Sequence, residues 1–264
     1  MKRMLLLLCV MLSVPVLVFA WGEEDDVGTI SGKLMLKNGE PMSGAVIFLF
    51  NAATGPAPSL GKYWRVPDIV AEADENGNFS ITVAEGRYYI SSIMRKSAAG
   101  LFGPPNSGDY IYPSFESAIR DRQVAYRIKK WETNNIGAIK GGVLFDRNKH
   151  MYHGPVTAIE GKISDKDGKP ADHAIVFAFD NADMSGNPRY ASDPSGKDGK
   201  YILRLGKPGR YYLRARGVYG GGQPVTGTLM GGGAAEGVKV LAGKTVKDVN
   251  ITVESFTSRG DMAK

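Results

Sequence analysis

Apolar and polar positions alternate with a period of two along most of this chain, the spacing of half-buried β-strands. Residues 28–36 alternate in this way and run into Asn38-Gly39, a pair that supplies the positive φ angles of a tight hairpin. Residues 45–50 form a nearly continuous apolar run of strand length, suited to a sandwich core. The turn Asp74-Glu75-Asn76-Gly77 precedes Phe79-Ser80-Ile81-Thr82-Val83, and Glu85-Gly86-Arg87 precedes Tyr88-Tyr89-Ile90. Residues 245–253 alternate cleanly, and 133–139 form a weaker counterpart. Residues 115–126 are the exception: Ser114 can cap a helix there, with Ile119 and Val124 on one face.

The same pattern is written twice. Ile30-Ser31-Gly32-Lys33 through Asn38-Gly39-Glu40-Pro41 to Ala45-Val46-Ile47-Phe48-Leu49-Phe50 aligns without a gap with Ile159-Glu160-Gly161-Lys162 through Asp167-Gly168-Lys169-Pro170 to Ala174-Ile175-Val176-Phe177-Ala178-Phe179, at an offset of 129. Later, Asn76-Gly77-Asn78-Phe79 matches Asp198-Gly199-Lys200-Tyr201, and Gly86-Arg87-Tyr88-Tyr89 matches Gly209-Arg210-Tyr211-Tyr212. A repeat of this length is a whole domain and not a solenoid unit. Short strands with turn signals every 8 to 12 residues describe a Greek-key sandwich. The expected fold is therefore all-β: two tandem antiparallel Greek-key β-sandwiches at 27–145 and 156–254, joined by a polar linker at 146–155 and followed by a polar tail at 255–264.

The first residues change the compartment. Lys2 and Arg3 precede an apolar run at 4–19, and Val18-Phe19-Ala20 places small residues at a cleavage site. This predicts a signal peptide at 1–20 and export to the periplasm, cell surface or extracellular space. The run is short of the roughly 20 apolar residues a lasting span needs and contains Pro15, so the cleaved protein is expected not to span a membrane. Cys9, the single cysteine, lies inside that run, which leaves the mature chain without disulfides or thiolate chemistry. The chain carries 33 basic and 27 acidic residues; losing Lys2 and Arg3 leaves 31 against 27. With the signs mixed, nucleic-acid binding is not expected.

The quoted motifs resemble the carboxypeptidase regulatory-like domain, a transthyretin-like (prealbumin-like) sandwich. The resemblance rests on Ile-x-Gly-Lys, Asn/Asp-Gly-x-Pro, Ala-x-x-Phe-x-Phe, Asp/Asn-Gly-x-Phe/Tyr and Gly-Arg-Tyr-Tyr, each present twice and together covering about half of the mature chain. It implies accessory modules that aid folding or mediate surface contacts, sometimes in carbohydrate-related proteins. The zinc-peptidase domain for which the family is named has no counterpart here.

Candidate chemistry is sparse. His150 and His153 sit in the linker without a helix to set ligand spacing, and His173 occupies a turn. Asp74-Glu75-Asn76-Gly77 and Asp165-Lys166-Asp167-Gly168 share residues with calcium loops, but a strand begins at once, and hairpins need the same residues for backbone reasons. Gly243-Lys244-Thr245 lacks the earlier glycine of a phosphate loop and precedes a strand. No nucleophile-elbow sequence is present. The chain is expected to be non-catalytic, with no metal site and no cofactor.

Aromatic residues on loops are the remaining candidates. Tyr63 and Trp64 lie in the longer insertion of the first copy, Tyr110 and Tyr112 in a proline-flanked loop, and Trp131 in the closing segment. They could anchor a protein partner or stack on sugar rings, or they could cover the open edge of the first sandwich. The long glycine-rich stretch 217–237 has Tyr219 as its single aromatic. The reading that follows is an exported accessory or structural module of the bacterial envelope or extracellular space. It would bind an envelope or extracellular protein, with polysaccharide binding through Tyr63, Trp64, Tyr110, Tyr112 and Trp131 as the alternative.

Overall fold

The computed structural model describes residues 26–96, 103–113, 124–219, 224–233 and 235–258. The expected signal segment and most of the expected helix at 115–126 lie outside the described residues. Tyr126, the end of that stretch, begins a strand.

The described chain is almost entirely β. In order it forms β1 (Val27–Leu36), β2 (Val46–Asn51), β3 (Trp64–Arg65), β4 (Ile69–Glu72), β5 (Asn78–Ala84), β6 (Gly86–Met94), β7 (Tyr110–Tyr112), β8 (Tyr126–Ile128) and β9 (Thr133–Leu144). A single helical turn, α1 (Arg147–His150), follows, capped by the Asp146 carboxylate on the Asn148 amide. Then come β10 (Thr157–Asp165), β11 (Ile175–Phe179), β12 (Tyr190–Ala191), β13 (Lys200–Leu205), β14 (Gly209–Arg216), β15 (Leu229–Gly232), β16 (Val238–Val240), β17 (Thr245–Val246) and β18 (Ile251–Ser255).

Two curled sheets result. The first runs β4-β2-β6-β7-β9-β1-β5, with β8 also on β6. The second, read from its β12 side, runs β12-β11-β14-β15-β18-β10-β13, with β16 on β14. The strand order is the same in both. Pairing is antiparallel except where β1 meets β9 and β10 meets β17 and β18, which are parallel. Each sheet closes on its own core. Ile30, Leu34, Ile47, Leu49, Phe79, Ile81 and Tyr88 fill the first. Ile159, Ile163, Val176, Tyr201, Leu203, Tyr211 and Leu213 fill the second.

The repeated motifs have physical causes. Gly32 and Gly161 sit where β1 and β10 run against their parallel neighbours: a Cβ at Gly161 would lie 1.9 Å from the Val249 carbonyl oxygen, and one at Gly32 would lie 2.8 Å from that of Gly137. The turn acids serve the backbone. Asp74 Oδ1 accepts from the Asn76 and Asn78 amides at 2.8 and 2.7 Å, and Asp165 Oδ1 accepts from the Asp167 and Lys169 amides at 3.0 and 2.9 Å. In each Gly-Arg-Tyr-Tyr motif the first tyrosine is buried and closes a corner: Tyr88 donates to the Ala84 carbonyl at 3.1 Å and Tyr211 to that of Lys207 at 3.0 Å. Burial pushes both phenols above their ordinary pKa.

The apolar runs of β2 and β11 are continuous because both faces are covered. Ile47 and Leu49 point into the first core, while Val46, Phe48 and Phe50 point out of it. Val176 and Ala178 likewise point into the second core, while Ile175, Phe177 and Phe179 point out. The two outward triads meet in a third cluster, joined by Leu60, Trp64, Ile93, Ile111, Phe145 and Ala191. The expectation of a core strand holds, but half of each run fills a junction between the sandwiches. Phe48→Ala or Phe177→Ala should cost about 3–5 kcal/mol, the usual range for emptying a buried phenylalanine site. Because it also weakens the join, it should split one calorimetric unfolding transition into two; a single transition at the wild-type midpoint would contradict this.

Candidate functional site at the sheet junction

The connection from β2 to β4, residues 52–68, is built around one cation. Arg65 is 3% exposed. It donates to the carbonyls of Asn51 (2.6 Å), Gly55 (3.1 Å) and Pro56 (2.6 Å), to Thr54 Oγ1 (2.7 Å) and to Asp68 Oδ2 (3.1 Å). Burial lowers the guanidinium pKa, and the Asp68 carboxylate opposes that shift. The planar fork gathers the Gly55 and Pro56 carbonyls and adds to the bonds that the Asn51 carbonyl already accepts from Thr54.

So shaped, the insertion crosses to the other half of the chain. Its β3 pairs antiparallel with β12, Trp64 opposite Ala191 and Arg65 opposite Tyr190. The insertion therefore covers the edge of the second sheet, where the sequence suggested the first. Trp64, 5% exposed, packs edge-on against Phe48 at 5.5 Å, and its indole N–H donates to the Tyr219 hydroxyl. Tyr63 donates to the Ala57 carbonyl and meets Tyr190 edge-on at 5.9 Å, and Tyr190 in turn meets Tyr211 at 5.8 Å. Burial raises the phenol pKa of Tyr63 and of Tyr219. The segment between β9 and β10 is tied in as well. The Tyr152 amide donates to the Gly61 carbonyl, Met151 packs on the junction cluster, and Arg147 pairs with Asp193.

Beside this seam lies a cavity of about 630 Å³. Phe48 and Val70 from the first sheet, Phe177 and Phe179 from the second, and Trp64 and Tyr219 line it, with residues 186–188 at one side. Arg214 and Arg216 add positive charge, Arg214 lying over the Phe179 ring at 5.2 Å. Asp68 also lines it but is held by Arg65. Such a wall suits an apolar or aromatic group carrying negative charge.

The five aromatic residues singled out from the sequence do not share one surface. Trp64 is buried at the junction, and Tyr63 is partly buried against the second core. Tyr110 and Tyr112 belong to strand β7 and not to a loop, half-buried on either side of a fully buried Ile111. Trp131 stands apart, 71% exposed in the turn between β8 and β9. Its φ is +64°, a left-handed conformation. The corresponding turn between β16 and β17 carries Gly243 at φ +66°. The hydrogen bonds match: the Glu132 amide donates to the Lys129 carbonyl, and the Lys244 amide to that of Leu241. The sequence marked Trp131 only as an aromatic residue; its turn geometry becomes visible once β8 and β16 are aligned on β6 and β14.

The histidines are scattered. His150 accepts the Asp146 amide at 2.8 Å and stacks on Phe145, His153 lies near the Asn148 carbonyl, and His173 pairs with Asp172 at 3.0 Å. Among the described residues no three of His, Cys, Asp and Glu are placed to hold a metal ion.

No family model and no curated protein matches the chain. Among solved structures, similarity is found to the Bacillus anthracis TIE protein (14% identity, TM-score 0.27, over 86% of this chain and 34% of that one). It extends to a leucine-rich repeat protein from Bacteroides thetaiotaomicron (12%, 0.26, over 87% and 26%) and to the Streptococcal ancillary pilin (14%, 0.26, over 88% and 64%). The chain thus spans between a quarter and two thirds of the length of these three.

Replacing Arg65 with alanine should cost about 3 kcal/mol, near the low end for breaking a buried ion pair because Asp68 is partly exposed. It should also open the insertion to limited proteolysis between residues 52 and 63. An unchanged melting temperature and cleavage pattern would show that the insertion holds its shape without Arg65.

Proposed function

We propose that this chain is an exported, non-catalytic interaction module of the bacterial envelope or extracellular space, made of two copies of a carboxypeptidase regulatory-like sandwich locked face to face. The shared strand order and the 129-residue correspondence of the junction triads support the duplication. Nothing among the described residues gathers the scattered histidines into a reacting site.

Trp131 carries the interaction reading. A non-glycine residue in the left-handed region costs about 1–2 kcal/mol, and the corresponding turn avoids that cost with Gly243. The Trp131 ring offers little to the core in return, since it is 71% exposed. Ion pairs flank it, Lys130 with Asp26 at 3.0 Å and Lys129 with Glu132 at 3.2 Å, so the indole stands among charges already matched. A large exposed ring held at a backbone cost has the character of an interface anchor.

The same ring supports a second reading, stacking on a sugar, in which Trp131 rather than Tyr63 and Trp64 would be the platform. Trp131→Gly should raise stability by about 1 kcal/mol through relief of backbone strain. It should also abolish cross-linking to a protein in the native envelope fraction. Retention of the wild type, but not the variant, on protease-treated polysaccharide from that fraction would decide for the sugar. Equal capture of everything by both proteins would end both readings.

A further inference from the structure

The seam described above contains its own example of what binds a sheet edge in this protein. The Ser192 amide donates to the Val176 carbonyl at 2.8 Å and the Arg189 amide to that of Ala178 at 2.7 Å. Antiparallel pairs alternate between bonded and non-bonded, so Ala191, between these two, turns its own N–H and C=O away from β11. Trp64 of β3 lies opposite Ala191, the Val66 amide donates to the Arg189 carbonyl at 3.0 Å, and the Trp64 ring enters the junction cluster.

The first sheet has the corresponding edge and, among the described residues, leaves it open. Phe177 faces Ala191 across β11 and β12; Phe48, 129 residues earlier, faces Val70 across β2 and β4. The Ala73 amide donates to the Ala45 carbonyl at 2.9 Å, which sets the same alternation. The N–H and C=O of Val70 therefore point away from β2. Among the described residues no strand pairs with that side of β4, and Val70 is 41% exposed. The reason lies in chain length. Seventeen residues (52–68) separate β2 from β4 and reach across to β12, whereas ten (180–189) separate β11 from β12, and these stop at the rim of the cavity with Gly186, Asn187 and Pro188. Where Trp64 fills the junction on one side, the 630 Å³ cavity stands on the other.

We propose that the open edge of β4 takes up an extended polypeptide segment of a partner. An aromatic residue lies opposite Val70 with its ring in the cavity, and carboxylates two positions away on the same face meet Arg214 and Arg216. The main-chain bonds are those of strand addition, and the pocket supplies selectivity. The aromatic preference follows from Phe48, Phe177 and Phe179 and from the precedent of Trp64. The acidic preference follows from Arg214, which lies over the Phe179 ring at the cavity wall, while the lining carboxylate Asp68 is held by Arg65. Residues two apart on a strand share a face, which fixes the spacing. This deepens the interaction reading by giving the partner a chemistry, and it uses a surface separate from Trp131.

The probe is a blocked synthetic peptide, Glu-Thr-Trp-Thr-Glu, titrated calorimetrically into the full mature chain. Saturable binding is expected, weakening as salt is raised, at least tenfold weaker for the Lys-Thr-Trp-Thr-Lys peptide and lost for Glu-Thr-Ala-Thr-Glu. Val70→Pro removes the outward N–H without touching the bonds to β2 and should lower affinity at least tenfold. Should that variant fold poorly, Asn187→Trp, on the exposed rim, should block the cavity to a similar degree. Arg214→Ala should abolish most of the preference for glutamate over lysine, and Trp131→Gly should leave binding unchanged. No saturable binding by the folded chain overturns the proposal, as does binding unaffected by both Val70→Pro and Asn187→Trp. Equal affinity for free indole-3-acetate, insensitive to Val70→Pro, overturns strand addition in favour of a small-anion pocket. A dimer of the chain that Val70→Pro dissociates, without peptide uptake, overturns it in favour of self-pairing. In each of these failures, capture that depends on Trp131 would still stand or fall on its own measurement.

Discussion

Two strands with two buried faces hold this molecule together. β2 and β11 each place alternate side chains in their own sandwich and send the others outward, and the outward sets meet. A strand normally has one apolar face and one wet one. Here the wet face has been replaced by phenylalanine, so neither sandwich can present that face to water without exposing a large apolar patch. Everything that joins the halves follows from hiding it: the insertion that crosses over, the strand added at β12, and the segment between β9 and β10 pinned by Met151 and Tyr152.

Buried arginines organise what the phenylalanines leave irregular. Arg65 collects carbonyls of the 52–68 loop beyond those the loop bonds by itself. Arg95, paired with Asp109 at 2.8 Å with both side chains 5% exposed, does the same for Gly103 and Pro104. A guanidinium with several fixed donors can hold a loop wherever carbonyls converge and a carboxylate balances its charge.

The two halves share a strand order but differ in detail. Some differences fall on turns and edges: Trp131 against Gly243, a long connection against a short one, a covered β12 edge against a β4 edge left open among the described residues. In the face that closes the junction, Arg214 and Arg216 of β14 lie beside Phe177 and Ile175, whereas β6 places Ser91 and Ile93 beside Phe48 and Val46. Positions that point into each sandwich's own core cannot differ so freely without cavities or strain.

Much of this was legible in the residue string. The alternation of 78–84, the Asp-Gly and Asn-Gly turns and the Gly-Arg-Tyr-Tyr corners depend on neighbours a few residues away, and local chemistry sets them; their recurrence, at an offset of 129 in the first block and of 122 and 123 in the later ones, carried the reading from one sandwich to two. The sequence also isolated Tyr63, Trp64, Tyr110, Tyr112 and Trp131, but it could not say that Trp64 is buried and Tyr63 partly so, that the next two sit in a strand, or that only Trp131 of the five stands largely in solvent. An apolar run such as 45–50 reads the same whether its second face meets a ligand, a partner or its own repeat. That choice depends on contacts between residues more than a hundred positions apart. Tertiary packing alone decided that Phe48 would meet Phe177's cluster, that β3 would cross to β12, and that β4 would be left with hydrogen bonds to offer.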